Sequence, residues 1–246
     1  MGLFDLFRKK DGLSPAEREI ARLQRLTASK LSQDLDRTDA LERLAAMGTR
    51  DAARVLLLRF NWNLDPSIRD QEEKELAVEG IAKVGEKAIG EVRSFCVKAG
   101  SVTWPLKALR RMVSPERFEE EVVGLLAQFD TDYQRNPEPK IQLLQTLEEF
   151  PSDTARLAVE PFLQDSSEAV RFAAVTTVFR IQSAASVVAL LGALETDESL
   201  RVKNRIAQGL VERAWEVPSV QTEICSKALP LGFSLSGGRV IGQSRA

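Results

Sequence analysis

The sequence contains no histidine and only two cysteines, Cys96 and Cys225, in 246 residues. Without imidazole there is no ordinary proton shuttle near neutral pH, no Ser-His or Cys-His nucleophile pair and no histidine metal site. Two cysteines far apart indicate neither a disulfide framework nor a thiolate zinc site. We therefore expect two packed thiols, no catalytic residues, no metal and no cofactor.

A surplus of positive charge is also missing, since 34 Lys and Arg residues stand against 36 Asp and Glu residues. Proteins that bind nucleic acid usually need a basic excess to displace counterions from phosphates, so a nucleic-acid partner is not expected. No apolar run approaches the ~20 residues that span a bilayer, and the N-terminus has no secretory core. These features predict a cytoplasmic protein.

Aromatic residues make up only 6% of the chain, and Leu, Ala and Val carry most of its 43% hydrophobic content. Apolar residues recur at three- and four-residue spacing, which predicts amphipathic helices and an all-α fold. Turn residues cut this pattern roughly every 29 to 37 residues, a spacing typical of stacked helix pairs. Six turns within pairs are predicted, at Gly48, Gly85, Ser114, Pro151, Ser183 and Pro218.

The pattern divides the chain into three parts. Residues 1–34 hold an amphipathic segment and a leading helix, which a capping box from Ser14 to Glu17 opens. Residues 35–230 form the helix pairs, with Leu157, Val159 and Phe162 expected to face inward in the fourth pair. Residues 231–246 are rich in Gly and Ser and are interpreted as a mobile tail. A hairpin about Gly237 and Gly238 is the alternative, although an isolated hairpin is marginal in water.

Two passages with a common pattern resemble the HEAT repeat. Leu163 to Arg171 and Leu194 to Arg201 each end one unit with Leu and Asp, then open the next with an apolar-Arg step and small residues. The run from Asp65 to Arg69 is a weaker copy. The resemblance implies a right-handed α-α superhelix, a HEAT-repeat solenoid of about six antiparallel helix pairs, with the second helices on its concave side.

The same resemblance implies a structural role for the charged residues of these passages. They look like the family's ladder of hydrogen bonds between repeats rather than a ligand site. The residues concerned are Asp65, Arg69, Asp165, Arg171, Asp197 and Arg201. Such a likeness predicts architecture and says little about activity.

Some enzymes have HEAT-like architecture, and their catalytic residues can be sought in this sequence. The metal-dependent hydroxylases use His-Glu pairs, which a chain without histidine cannot supply. The alkyl-base DNA glycosylases use Trp, Asp and Arg, but Trp62, Trp104 and Trp215 fall at predicted helix ends, where packing explains them. Phycobilin lyases share short HEAT-like units, and nothing here indicates a bilin site.

Lys107, Arg110 and Arg111 form the densest basic cluster inside the chain. The first interpretation is a solvated helix face. The second is a contact with a small phosphate or an acidic partner.

The first ten residues combine apolar and basic side chains. Leu3, Phe4, Leu6 and Phe7 precede Arg8, Lys9 and Lys10, an arrangement that suits a short interfacial anchor with charges at the level of lipid phosphates. Asp5 counts against binding to acidic lipid. Packing over the first repeat and docking to a partner are the alternatives.

The leading hypothesis is a non-catalytic protein–protein adaptor or scaffold in the cytoplasm, held near the inner face of the membrane by its N-terminal segment. A nucleic-acid-binding HEAT-like module is the first rival and predicts a basic concave face. A HEAT-like lyase is the second and predicts a deep pocket with convergent Asp, Arg and Trp.

The anchor interpretation predicts that the full chain floats with anionic liposomes and that deletion of residues 1–10 reduces flotation to the level seen without lipid. The physical reason is the loss of four apolar side chains and three cations from the interface. Flotation on a density gradient measures this, and equal flotation of both proteins would exclude an anchor in residues 1–10.

Overall fold

The computed structural model describes residues 14–242. The segment from Leu3 to Lys10, for which we expect membrane contact, lies outside the described residues. Within them the chain is almost wholly helical, which confirms the prediction of an all-α HEAT-type fold. The helices of residues 14–242 are each too short or too polar to cross a bilayer.

A leading helix is followed by six successive helix pairs along the described chain. The leading helix is α1 (Pro15–Thr27), and the first helices of the pairs are α2 (Asp34–Met47), α4 (Ser67–Val84), α6 (Thr103–Met112), α8 (Glu138–Leu147), α10 (Glu168–Ile181) and α12 (Leu200–Arg213). The second helices are α3 (Arg50–Leu57), α5 (Ile89–Cys96), α7 (Pro115–Leu126), α9 (Asp153–Val159), α11 (Val187–Thr196) and α13 (Thr222–Ala228). Two strands follow, β1 (Phe233–Ser236) and β2 (Arg239–Gly242).

Capping residues set the ends of several helices. The Ser14 hydroxyl accepts a hydrogen bond from the Glu17 amide at 3.2 Å, and the Glu17 carboxylate accepts one from the Ser14 amide at 2.7 Å, so the predicted capping box is present. Gly48 ends α2 with a φ of +58°, which glycine adopts without strain. Thr49 then caps α3 by accepting from the Ala52 amide.

The chain forms two compact units, divided between Phe118 and Glu119. In unit 1 the first helices α2, α4 and α6 pack side by side, α3 packs beside α5, and α1 lies against α2 and α3. In unit 2 α10 packs between α8 and α12, and α11 packs against α12 and α13. Fully buried aliphatic side chains such as Leu44 and Ile81 in unit 1 and Leu144 and Val178 in unit 2 fill the space between these helices.

Residues 233–242 correct the expectation of a mobile tail. β1 and β2 pair in antiparallel register, with Phe233 opposite Gly242 and Ser236 opposite Arg239, and Gly237 and Gly238 make the turn. The hairpin is not isolated, because β2 packs on α12 and β1 on α13, and Val240 is buried. That packing supplies the apolar burial that a lone hairpin lacks.

Two glycines allow first helices to approach each other closely. A Cβ atom at Gly80 in α4 would lie 2.7 Å from both Ala45 Cβ and Leu56 Cδ1. At Gly209 in α12 it would lie 2.2 Å from the Phe179 ring. Neither site has room for a methyl group, so glycine here serves packing.

Gly80→Ala is expected to lower the free energy of unfolding by about 1–3 kcal/mol, because the new methyl group overlaps the Ala45 backbone and the Leu56 side chain. Gly124→Ala in α7 is the matched control. No atom lies within 4 Å of its added Cβ, so the better helix propensity should raise stability by about 0.5–1 kcal/mol. Urea unfolding followed by circular dichroism measures both, and equal effects of the two variants would contradict the close approach at Gly80.

Candidate interaction surface

Unit 1 contains a cluster of five charged side chains that are almost fully buried. We call it the buried ionic cluster, and its members are Arg37, Arg59, Asp70, Glu73 and Lys74. Glu73 lies at its centre. Its oxygens accept from Arg37 Nε at 2.9 and 3.0 Å, from Arg37 Nη2 at 2.8 Å and from Arg59 Nε at 2.7 Å.

Asp70 supplies the second buried carboxylate. It accepts from Arg59 Nη2 and Lys74 Nζ, each at 2.7 Å, and from the Leu64 amide at 2.9 Å. Burial acts to raise the pKa of Asp70, but the hydrogen bonds from Lys74, Arg59 and the Leu64 amide outweigh it and leave this pKa below its ordinary value. Asp70 is therefore a fixed anion that holds the chain before α4, not a proton donor.

The guanidinium groups of the cluster find their remaining partners on loops and on a ring. Arg37 donates to the Ser32 carbonyl at 2.8 Å and to Asp34 at 2.7 Å, and Arg59 donates to the Trp62 carbonyl at 3.0 Å. The Arg59 guanidinium also lies 3.8 Å from the centre of the Trp62 ring. Charged groups of opposite sign thus join α2, the 3₁₀ turn after α3, and α4, which is a structural arrangement.

The ladder prediction needs correction in this unit. Asp65 is exposed, and the buried carboxylate before and within α4 belongs instead to Asp70 and Glu73. Arg69 is paired with Asp34, and both side chains are about half exposed. The sequence resemblance placed the acidic position five residues too early, because it followed the Asp-Pro step rather than the buried turn.

In unit 2 two ion pairs link successive repeats. Lys140 in α8 donates to Asp165 at 2.8 Å, and Arg171 in α10 donates to Asp197 through Nε at 2.7 Å and Nη2 at 3.0 Å. Each aspartate also accepts from the backbone amide two residues later, at 2.8 Å. Arg201 differs, since it is exposed, lies 4.0 Å from the Phe172 ring centre and 3.5 Å from Glu168. These contacts explain most of the acidic and basic residues of the HEAT-like passages as joints between repeats.

The basic cluster of α6 is matched by carboxylate and aromatic groups inside unit 1. Lys107 and Arg111 both donate to Glu75 of α4, and Arg110 lies 4.6 Å from the Phe118 ring centre. The hydrogen bond from Lys107, followed by that from Arg111, keeps the pKa of Glu75 below its ordinary value despite partial burial. Glu75 therefore offsets much of the charge that an acidic partner would recognise.

Both thiols are buried. Burial raises the pKa of Cys96 to about 12 and also raises the pKa of Cys225, so both remain protonated at neutral pH. Across residues 14–242 there is no group of three Cys, Asp or Glu side chains placed to hold a metal ion.

The exposed side of the second helices in unit 2 has a different character. Leu157 of α9, Val188 of α11 and Ile224 of α13 are 59%, 54% and 38% exposed, while Val159, Leu190 and Cys225 on the same helices are buried. The helices are neighbours, since Ser186 donates to Glu160 at 2.7 Å and α11 packs on α13. We call this surface the second-helix face, and it consists of Leu157, Pro161, Val188, Gly192 and Ile224.

The hydrophobic pattern does not single out the second-helix face. It predicts Leu157 on the inward side together with Val159, whereas the structure turns Leu157 outward. Leu157, Ala158 and Val159 are consecutive apolar residues in a seven-residue helix, so the periodicity cannot distinguish the two sides.

Two second helices of unit 2 have a glycine on their outer side that no packing contact in the described chain explains. No atom lies within 4 Å of a Cβ built at Gly192 of α11 or at Gly124 of α7. Glycine inside a helix costs about 1 kcal/mol relative to alanine. The contrast with Gly80 and Gly209 shows that packing within the described chain does not require a glycine at either exposed position.

Residues 123–211 match the family model for HEAT repeats. This part of the chain is therefore HEAT-repeat sequence. The matched range covers the second helices α9 and α11 and both ion pairs of unit 2, so the repeats and their joints coincide. No curated protein matches the chain. HEAT repeats are commonly protein-interaction modules and are generally non-catalytic.

Glu73→Gln is expected to lower the free energy of unfolding by about 3–5 kcal/mol, because two buried guanidinium groups lose the charge between them. Asp65→Asn should change it by less than about 0.5 kcal/mol, since that side chain is exposed. Urea denaturation of the two variants tests the corrected assignment. A larger loss for Asp65→Asn would restore the original ladder prediction.

Proposed function

We propose that this HEAT-repeat protein is a non-catalytic adaptor or scaffold that holds a protein partner on the second-helix face. The observation that carries the proposal is the row of exposed aliphatic side chains, Leu157, Val188 and Ile224, on three neighbouring second helices. Exposed apolar side chains gathered on one surface are typical of sites that another protein covers.

The pairing of charged side chains between helices supports the same function. The buried ionic cluster, Lys140 with Asp165 and Arg171 with Asp197 are ion pairs between helices, and in each of them opposite charges satisfy one another. Catalytic acids and bases are usually recognised by a strongly perturbed pKa in a cleft. The polar groups of these repeats hold the scaffold, and the apolar row is available for contact.

A nucleic-acid partner receives less support. The densest basic cluster, Lys107 to Arg111, shares the carboxylate of Glu75, which lowers the positive potential that phosphates would require. A lyase receives less support as well, because the Trp62 ring is covered by the Arg59 guanidinium and the Trp104 ring stacks on Phe60.

The proposal includes a position near the inner face of the membrane. Its support is the chemistry of Leu3 to Lys10, where apolar side chains and cations suit the lipid interface. The flotation comparison above tests this part separately from partner binding.

Val188→Glu is expected to remove the partner without unfolding the protein, because a carboxylate placed on an exposed position disrupts an apolar contact but not the core. Leu200→Glu is the matched control. Leu200 is 67% exposed and lies on the first helix α12 of the same unit, outside the second-helix face.

The measurement is affinity capture from lysate with the full chain and both variants, compared by quantitative mass spectrometry. A protein retained by the wild type and by Leu200→Glu, but reduced about tenfold or more with Val188→Glu, is the expected result. If Val188→Glu and Leu200→Glu retain the same proteins as the wild type, this surface is not the docking site and the proposal fails. Circular dichroism shows whether each variant is folded.

A further inference from the structure

We infer that the occupant of the second-helix face is a basic amphipathic helix of another protein. The inference rests on the proposed function and adds the chemistry of the partner. Three observations carry it: the charge of the second helices in unit 2, the spacing of the apolar row, and the glycine between its members.

The second helices of unit 2 are acidic. Counting from Glu119 and including the 3₁₀ turn after α9, seven carboxylates stand against two cations: Glu119, Glu120, Glu121, Asp153, Glu160, Glu195 and Glu223 against Arg156 and Lys227. Glu121 is buried, and on the three helices that carry the face, with the same 3₁₀ turn, four carboxylates stand against two cations. A basic partner therefore gains from long-range attraction and from pairing at the rim, whereas an acidic partner is repelled.

The apolar row has the dimensions of a short helix. Packed helices lie about 8–10 Å apart, so Leu157, Val188 and Ile224 on three neighbouring helices extend over about 20 Å. An α-helix rises 1.5 Å per residue, so about 14 residues lying across the second helices cover the row. An amphipathic helix presents apolar side chains at three- and four-residue intervals on one side and leaves its cations for the acidic rim.

Gly192 leaves a gap in the row, because no side chain projects from this position. It follows Val188 by one helical turn on the outer side of α11, and no atom occupies the space above it. A residue with no side chain lets another backbone approach closely, as it does between helices at Gly80 and Gly209. Glycine lowers the stability of the helix at position 192, and no contact within the described chain offsets this loss. A docked helix would offset it.

The chain itself has a segment of similar chemistry, from Leu3 to Lys10. Binding of this segment to the face is the competing occupant. The experiment therefore compares the full chain with a variant that lacks residues 1–10.

The probe is a fluorescein-labelled 18-residue peptide of Leu and Lys arranged with helical periodicity. The control is the same peptide with Glu in place of Lys. Fluorescence anisotropy with the full chain should show binding of the Leu/Lys peptide that weakens as salt rises, and at least about tenfold weaker binding of the Leu/Glu peptide. A Leu/Glu peptide that binds equally well would overturn the inferred charge of the partner.

Gly192→Gln locates the site. The new side chain fills open space and improves helix propensity, so stability should not fall while affinity for the Leu/Lys peptide falls about tenfold or more. Gly90→Gln is the matched control, because Gly90 is an exposed glycine of the second helix α5 in unit 1, with only the Arg50 side chain nearby at 3.9 Å. Equal affinity of Gly192→Gln and Gly90→Gln would place the binding elsewhere and overturn the inference.

Glu195→Lys tests the acidic rim from the same helix. Glu195 is exposed one turn after Gly192, and reversal of its charge should weaken Leu/Lys binding several-fold and flatten its salt dependence. An unchanged affinity and salt dependence would contradict the electrostatic part of the inference.

The two deletion outcomes are also decisive. Equal binding with and without residues 1–10 supports a separate partner, whereas binding only after the deletion would assign the face to the chain's own N-terminal segment. Absence of Leu/Lys binding in both proteins overturns the inferred chemistry. If Val188→Glu nevertheless loses captured proteins, the proposed function stands and only the partner class is wrong.

Discussion

Pairing of guanidinium and ammonium groups with carboxylates at the joints between helices is the constraint on which the rest of this structure depends. A buried charge without a partner is far more costly than a lost hydrogen bond, so Glu73 can occupy the interior only with Arg37 and Arg59 around it. The same condition holds for Asp165 with Lys140 and for Asp197 with Arg171. Each pair sets the angle and spacing at which one helix can follow another.

These joints also determine where function can lie. Charges that neutralise one another inside the repeats cannot act on a substrate, and thiols whose pKa burial raises cannot serve as nucleophiles. The chemistry left at the surface is apolar contact and net charge. On unit 2 the second helices combine exposed aliphatic side chains with an excess of carboxylates.

Glycine has opposite roles in the two helix layers of this protein. Gly80 and Gly209 lie where first helices press together, and a methyl group at either would overlap a neighbour. Gly124 and Gly192 lie on second helices with open space above them. The first pair is explained by packing within the chain. The second pair has no such packing role within the described chain, and at Gly192 the proposed docked helix would give the glycine one.

The sequence by itself determined the helical class, the succession of pairs and the resemblance to HEAT repeats. Three- and four-residue periodicity, capping residues and turn spacing are local, and each acts within a few residues. The positions of Asp165, Arg171 and Asp197 could also be predicted from the sequence, because the two HEAT-like passages repeat the same spacing between acidic and basic residues. The equivalent position in unit 1 was misplaced at Asp65, since an Asp-Pro step looks like a helix start whether or not its carboxylate is buried.

Only the tertiary structure decided which side of each second helix faces outward, which charged side chains form ion pairs, and that residues 233–242 form a hairpin. Leu157 and Val159 are equally apolar in sequence, and their roles separate only when α9 packs against its neighbours. Lys107 and Arg111 lie 32 and 36 residues from Glu75, a distance along the chain that no local pattern spans. The hairpin of β1 and β2 gains its stability from packing on α12 and α13, and burial of that kind exists only once the chain has folded.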